Sequence, residues 1–403
     1  MMTDSGDSKP RPNYHPDTEA VRRSIDKTQY QEHSEPLFLT SSFVFNSAEQ
    51  AAARFSNEDP GYFYSRAGNP TVSIFEQRLA ALEGGEECVA AASGMAAITA
   101  TLMSLCSAGD HIVAARELFG ASLQLFGILK RFGVESTLVP LTDLDAWQAA
   151  VRPNTKLLYA ESPSNPLTQV GDIAGLAAIA HANKALLVID NCFCSPAVQQ
   201  PLALGADIVV HSSTKFLDGQ GRVMGGAAVG SATIINESVR AFLRTTGAVM
   251  SPFNAWVTLK GLETLTIRLR QQSANALELA QWLQQQDAVS EVLYPGLPSH
   301  AQHELAMRQQ SSGGALLCFT MRGDTEAERK AAAWRVIDHC ELLSITTNLG
   351  DVKGTISHPA STSHAKIDPA ERLASGLSDG ALRLAVGLEH VEDVMADLSR
   401  GIQ

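Results

Sequence analysis

From Cys88 to Gly230, short apolar runs alternate with longer stretches of helical spacing, and this alternation constrains the fold more than any other feature. The runs predict strands at Cys88–Ala91, His111–Ala114, Val134–Val139, Lys156–Glu161, Leu186–Asp190, Ile208–His211 and Gly226–Gly230. Between them lie predicted helices at Met95–Cys106, Ser122–Phe132, Leu144–Val151 and Ile173–Asn183. Strands separated by helices form βαβ units, whose crossovers cover both faces of a mostly parallel sheet. Such crossovers are nearly always right-handed, which leaves a doubly wound, seven-stranded α/β sheet as the economical topology.

The character changes on either side of this region. About the first 60 residues have weak periodicity, interrupted by Ser, Thr, Glu, Pro and Asn, and predict an arm. After Pro252 come a long helical segment, Ala255–Gln286, and the stretch Val289–Tyr294. A strand at Ala315–Met321, a helix near Glu326–Cys340 and a last strand at Leu382–Gly387 follow, which predicts a smaller α+β C-terminal domain. The expected division is 1–60 (arm), 61–252 (large domain) and 253–403 (C-terminal domain).

Composition narrows the functional classes. Lys and Arg number 31 against 43 Asp and Glu, a net charge of −12 with no basic run, which argues against a nucleic-acid partner. Six scattered cysteines do not form a disulfide framework, and Met1–Tyr14 is polar, without the apolar core of a secretory signal. The uncharged stretch Cys88–Gly109 is rich in Ala, Ser, Gly and Thr, which give little membrane-transfer energy, so it reads as a buried strand and helix. A cytoplasmic protein without a membrane span is expected.

Ligands of open α/β sheets bind beyond the carboxyl ends of the strands, and chemistry-bearing residues gather there. The run Leu186–Asp190 ends in an aspartate, and Ile208–His211 leads directly into Ser212, Ser213, Thr214 and Lys215. A desolvated lysine loses basicity and becomes a usable amine. A lysine, a carboxylate and a phosphate cradle are what pyridoxal 5′-phosphate requires: the lysine to carry the cofactor, the carboxylate to keep its pyridine nitrogen protonated. The cradle candidate is Ser93-Gly94-Met95, at a strand-to-helix turn where free N–H groups favour an anion. Ser212 and Thr214 add hydroxyl donors.

Other signatures fail on context. Gly376-Leu-Ser378-Asp-Gly380 matches a hydrolase nucleophile elbow, but a helix-like segment, Pro369–Ala374, precedes it and a strand follows, the reverse of the required order. Gly219-Gln-Gly221-Arg-Val-Met-Gly225 has one residue too many for a dinucleotide fingerprint. Cys192-Phe193-Cys194 has no second cysteine pair to complete a metal site and reads as buried thiols, so no metal is expected. His300 and His303 read as solvated helix residues.

Five motifs in order resemble the Cys/Met-metabolism family of pyridoxal-phosphate enzymes, the γ-family of fold type I. They are Tyr64-Ser-Arg66-Ala-Gly-Asn-Pro-Thr71 with Ser93-Gly94-Met95, Glu161-Ser-Pro-Ser-Asn165-Pro, Asp190-Asn191, Ser212-Ser-Thr-Lys215, and Arg383-Leu-Ala-Val-Gly-Leu-Glu389. The resemblance runs from about residue 35 to the C-terminus. It implies that Lys215 carries the cofactor and shuttles protons, that Asp190 pairs with the pyridine nitrogen, and that Asn165 bonds the ring's phenolic oxygen. Ser93, Gly94, Met95, Ser212 and Thr214 would hold the phosphate, joined by Tyr64 and Arg66 of a neighbouring subunit in a homotetramer. Arg383 would clamp the substrate α-carboxylate, with Asn348 and Tyr64 beside the substrate.

Departures from the family pattern bear on the reaction. Phe119 stands where a ring-stacking tyrosine is usual, so the proton shuttle falls to Lys215 or Tyr64. Thr347 stands where cystathionine lyases carry glutamate, Ala121 where methionine γ-lyases carry cysteine, and Gln124 where cystathionine γ-synthases carry arginine. Glu32–Pro36, Leu37–Ser42 and Asp218–Arg222 look most like the members that join sulfide to O-succinylhomoserine. The implied reaction is γ-replacement giving homocysteine and succinate, a step of methionine synthesis, with O-acetylhomoserine as the alternative ester and cysteine as the alternative nucleophile. A γ-lyase or a silent cofactor-binding protein would be less in keeping with these residues. Succinate's second carboxylate calls for a cation, and Arg222 and Lys353 are the candidates.

Overall fold

Both faces of the apolar runs are covered, and they become the strands of one sheet. The computed structural model describes residues 14–24 and 27–402, so Met1–Asn13 of the polar N-terminal stretch lie outside the described residues. The strands are β1 (Glu87–Ala91), β2 (His111–Ala115), β3 (Glu135–Val139), β4 (Thr155–Glu161), β5 (Leu186–Asp190), β6 (Ile208–His211) and β7 (Gly226–Gly230). Their order in space is β1-β7-β6-β5-β4-β2-β3. Only β7 runs against its neighbours, antiparallel to β1 and β6. Every residue of β2, β6 and β7 is buried, as expected for strands packed on two sides, whereas β3, at the sheet edge, is buried only at Val139.

One face packs Ile98 and Leu102 of helix Gly94–Leu105, Leu125 and Leu129 of helix Gly120–Arg131, and Leu176 of helix Ile173–Ala182. The opposite face packs Phe75 and Leu79 of helix Pro70–Glu83 and Leu259 and Leu262 of helix Pro252–Leu262. The carboxyl ends of β1, β2, β4, β5 and β6 all emerge along one edge. That edge is where the sequence places Ser93, Phe119, Glu161, Asp190 and Lys215.

The C-terminal domain holds a second sheet of β8 (Val289–Leu293), β9 (Leu316–Met321), β10 (Ser344–Ile345), β11 (Thr355–Ser357) and β12 (Ala381–Ala385), in the order β10-β11-β12-β9-β8. Helices Glu326–His339 and Val391–Ile402 cover it, with Val336 and Leu398 packed on Leu317, Phe319 and Leu384. β10 and β11 have two and three residues, too short to leave a periodic signal.

The expected single helix Ala255–Gln286 is two helices, Pro252–Leu262 and Leu265–Leu283. The break has a polar cause: the Arg268 guanidinium donates to the Gly261 carbonyl at 2.9 Å and to the Phe216 carbonyl at 2.9 Å. Gly261 must be glycine there, since a Cβ would lie 2.3 Å from the Leu217 carbonyl. The first helix is thereby pressed onto the loop that carries Lys215. His300 is buried rather than solvated and precedes helix His303–Gln309, and His303 Nδ1 lies 2.9 Å from the Pro295 carbonyl.

The arm contains two short helices, Pro16–Arg22 and Ala48–Phe55, and is fastened by buried charge. The Glu35 carboxylate pairs with Arg78, whose side chain is fully buried, and with Lys260. Trp256 donates to the Glu35 carbonyl at 3.0 Å, and the Thr71 hydroxyl bridges Pro36 and Phe38 at 2.9 Å each. Burial works against the Glu35 charge, but the bonds from Lys260 and Arg78 outweigh it and hold the carboxyl at about 2, below the ordinary 4.5. Its stabilisation is therefore complete above pH 4.5 and is lost as pH falls toward 2. Glu35→Gln removes the main charge partner of a buried guanidinium, leaving it the Arg23 carbonyl and Glu263, and is expected to cost about 3 kcal/mol at pH 7 in urea unfolding. The difference from the parent protein should shrink steadily between pH 4.5 and 2.

Candidate active site

A cavity of about 890 Å³ opens at the carboxyl edge of the large sheet. Ser93, Gly94, Met95, Phe119, Asn165, Asp190, Ser212, Thr214, Lys215, Asn348 and Arg383 all line it. Another cavity, of about 830 Å³, lies between the Pro16–Arg22 helix and residues 265–277 and 307–313, and holds none of the predicted site residues.

The anion cradle depends on two glycines. Ser93 caps helix Gly94–Leu105, its hydroxyl accepting from Ala96 N at 3.1 Å. A Cβ on Gly94 would sit 2.7 Å from Ser212 Cβ, and one on Gly226 would sit 2.2 Å from the Ser93 carbonyl oxygen. The turn is thus packed between the Ser212 loop and β7, with backbone in place of side chain. Thr214 Oγ1 accepts from Gly225 N at 3.1 Å, which fixes the hydroxyl loop on the same side.

Lys215 follows β6 and is largely enclosed, and its amine donates to Asn348 Oδ1. Burial pushes its pKa down, and the Arg383 cation adds to that against the Cys192 side chain. Asp190 and Glu161 end the adjacent strands β5 and β4 and face each other in register. Burial raises Glu161 well above the carboxylate range and the Asp190 charge raises it further, although Phe119 N donates to it at 3.0 Å. Burial raises Asp190 as well, against bonds from the Cys192 thiol and N–H, the latter at 3.0 Å. A proton on Glu161 leaves Asp190 as the anion of the pair.

Arg383, in β12, reaches across from the C-terminal sheet. Its guanidinium donates to Asn165 Oδ1 at 3.2 Å and to the Thr347 carbonyl at 2.8 Å, while Nε has no partner among the described residues. Burial lowers its pKa to about 10, and an arriving carboxylate would relieve that penalty.

Tyr64 and Arg66 do not line this cavity. Arg66 donates to the Arg244 carbonyl and lies over the Tyr64 ring at 5.5 Å, and Tyr64 is 42% exposed. The two cation candidates are elsewhere too: Arg222 is bound to Asp218 at 2.9 Å and to the Val257 carbonyl, and Lys353 is an exposed partner of Asp351. Ala121, Gln124 and Thr347, the positions of departure, are all in the cavity wall. Sequence reasoning gave Glu161 no role, although it ends its strand as Asp190 does. Lys366, also in the wall, sits in a loop with no pattern to reveal it.

The residues fit pyridoxal phosphate. An enclosed amine, a buried carboxylate and an uncluttered helix N-terminus with hydroxyls stand around one cavity. Such a site on a doubly wound sheet defines a pyridoxal-phosphate enzyme of fold type I. The chain belongs to the Cys/Met metabolism PLP-dependent enzyme family, whose model matches residues 17–403. It is 56% identical over 387 residues to an O-succinylhomoserine sulfhydrylase of Pseudomonas aeruginosa, covering 96% of this chain and 94% of the relative. Identity to an L-methionine gamma-lyase of Porphyromonas gingivalis is 44% over 370 residues, 91% and 92% of the two chains. Among solved structures it is similar to cystathionine gamma synthase from Xanthomonas oryzae pv. oryzae in complex with cystathionine, with TM-score 0.90, 37% identity and coverage of 96% and 98%. No helix among the described residues is long and apolar enough to cross a membrane, and none of their His, Cys, Asp and Glu groups could hold a metal.

Borohydride treatment of the holoprotein should fix the cofactor to Lys215, detected as a modified peptide, and Lys215→Ala should abolish the label. Gly94→Ala should weaken pyridoxal phosphate binding by roughly tenfold in an absorbance titration, the equivalent of about 1.4 kcal/mol for a cradle pushed off Ser212.

Proposed function

We propose that the protein catalyses γ-replacement on O-succinyl-L-homoserine with sulfide, forming L-homocysteine and succinate. The observation that carries this reading is the cavity's division of charge. Lys215 and Arg383 serve the chemistry and the α-carboxylate, while among the described residues the only carboxyl groups in the wall, Glu161 and Asp190, are buried at strand ends. No acidic side chain stands at Thr347 to receive the ammonium of an amino-acid nucleophile, which favours a small inorganic one. The name of the 56% identical relative supports the same reaction.

Bound pyridoxal phosphate supplies the electron sink for carbanion chemistry at Cα. Lys215, its ammonium form disfavoured by burial, would take the proton from Cα, give it up to the cofactor side of the bound substrate, and as the free amine again take the proton from Cβ. Arg383 holds the α-carboxylate, with its own position fixed by Asn165 and Thr347. Asn348 orients the Lys215 amine. Succinate departs from Cγ, sulfide adds there, and Lys215 returns protons to Cβ and Cα. Phe119 contributes a ring face without a hydroxyl, so the proton work at these carbons stays with Lys215, with Tyr64 as the second candidate.

The same reading extends to assembly. Tyr64 and Arg66 act across an interface, reaching the phosphate and substrate of a neighbouring subunit in a homotetramer, and the arm presents exposed Tyr30, Leu39, Val44 and Phe55 for such packing. The protein works in the cytoplasm and divides into 1–60, 61–252 and 253–403, although helix Pro252–Leu262 still packs on the large sheet.

Holoprotein given O-succinylhomoserine with equimolar sulfide and cysteine should yield homocysteine as the main product by mass spectrometry. Cystathionine as the main product would instead make the protein a synthase. Co-expressed Lys215→Ala and Arg66→Ala chains, each inactive alone, should regain part of the activity, because mixed assemblies contain one intact site.

A further inference from the structure

The cavity wall contains three cations among the described residues: Lys215, Arg383 and Lys366. The first two have assigned tasks. Lys366 makes no ion pair with any described residue, and it is the cation of the wall that no carboxylate or fixed carbonyl holds. It therefore brings unneutralised positive charge to a cavity whose deeper wall is already served.

The loop that carries Lys366 is held in place rather than loosely draped. His364 N donates to the Pro359 carbonyl at 2.9 Å, and Ile367 N to the His364 carbonyl at 3.1 Å. Arg372 grips the Ile367 carbonyl at 2.9 Å and is itself paired with Asp379 at 2.8 Å. Ser363 lies against the start of helix Gly120–Arg131, where a Cβ on Gly120 would be 3.1 Å from its carbonyl oxygen. No side chain caps that helix start, so its positive dipole end lies beside the same loop. Lys366, Gln124 and Ala121 thus line the same cavity as Arg383, on segments other than the strand that carries it.

We propose that Lys366 binds the distal carboxylate of the succinyl group and so sets the preference for a succinyl over an acetyl ester. This rests on the γ-replacement reading above. A substrate bearing two carboxylates needs two cations, and Arg383 can take only the one on Cα. The ammonium on its flexible four-carbon stem can follow a leaving group whose length is also flexible. The acetyl ester has no second carboxylate and gains nothing from Lys366. Succinate leaving from Cγ keeps the same partner until it diffuses out.

The test uses holoprotein carrying Lys366→Met or Lys366→Arg. Two readouts are taken: the succinyl-to-acetyl ratio of kcat/KM with sulfide, and binding of O-succinylhomoserine, O-acetylhomoserine and free succinate from perturbation of the cofactor absorbance. Lys366→Met should lower the succinyl-to-acetyl ratio fivefold or more and weaken succinyl-ester and succinate binding by a similar factor. Lys366→Arg should restore most of it, and added salt should narrow the gap between parent and Lys366→Met. Equal effects on both esters, or no effect on succinyl-ester binding, would overturn the proposal. Because binding is read without turnover, a parent protein that releases no succinate would refute the γ-replacement reading, while the binding comparison still decides the role of Lys366.

Discussion

Two carboxyl groups buried side by side at the ends of β4 and β5 set the terms for the rest of the active site. Neither Glu161 nor Asp190 can be charged there at no cost, and they cannot both be charged, because burial and mutual repulsion act together. The strand ends must therefore be held by groups that leave Asp190 anionic and Glu161 neutral. Behind them runs a buried polar chain. Asn191 donates to Glu83 at 3.0 Å and to the Gln199 carbonyl at 2.8 Å, Gln199 donates to the Ser162 carbonyl at 2.9 Å, and Gln310 to Gln199 at 3.0 Å. His211 joins this chain through Glu83 and tempers the shift on Asp190. The last residues of β4, β5 and β6 are thereby fixed to one another, and Lys215 stands four residues beyond His211. The geometry of the amine and that of the carboxylate are consequences of the same network.

The sheet topology does the remaining positioning. Parallel strands deliver their carboxyl ends to one edge, so residues far apart in sequence arrive together without long loops. The antiparallel β7 is the exception that makes the cradle: it lies between β1 and β6 and supplies Gly226, over which the Ser93–Gly94 turn can pass. Any side chain at Gly226 would lift the turn away from Ser212, and with it the ring of N–H and hydroxyl donors. A glycine chosen for close approach, with no unusual backbone angle, does the work here.

Much of this was legible in the sequence because strands buried on both faces leave continuous apolar runs, and all seven strands of the large sheet appear within about two residues of those runs. Asp190 and Lys215 were visible for a related reason: a charged residue at the end of an apolar run is conspicuous. Glu161 carried the same signal. The misread elements are those fixed by distant contacts. Helical periodicity continues through Glu263 and Thr264, and only the approach of Phe216 to Arg268 ends the first helix there. His300 looks like a surface residue until the 294–300 turn folds it inward. Arg222 and Lys353 answered only the need for a cation, and the structure pairs them with Asp218 and Asp351 outside the cavity wall. Lys366 lies in a segment without periodicity, and tertiary structure alone brings it to the cavity.

The site is built in two layers that need not change together. Cofactor chemistry rests on the ends of β1, β4, β5 and β6, locked by the buried polar chain and by backbone packing, where a substitution disturbs several partners at once. The wall that meets the rest of the substrate comes from three loops: the start of the 120–131 helix, residues 347–349 and residues 362–367. The 362–367 turn is held largely by its own backbone hydrogen bonds and the 347–349 segment by side chains that bond its carbonyls, so Thr347 and Lys366 can vary with little structural cost. Ala121, Gln124, Thr347 and Lys366 are all in this second layer. A 44% identical lyase and a 37% identical synthase with TM-score 0.90 show how far proteins of this fold diverge in named activity. The structure offers a physical basis for that divergence: Lys215 and Asp190 stand at the ends of core strands, while Ala121, Gln124, Thr347 and Lys366 project into the same cavity from its outer wall.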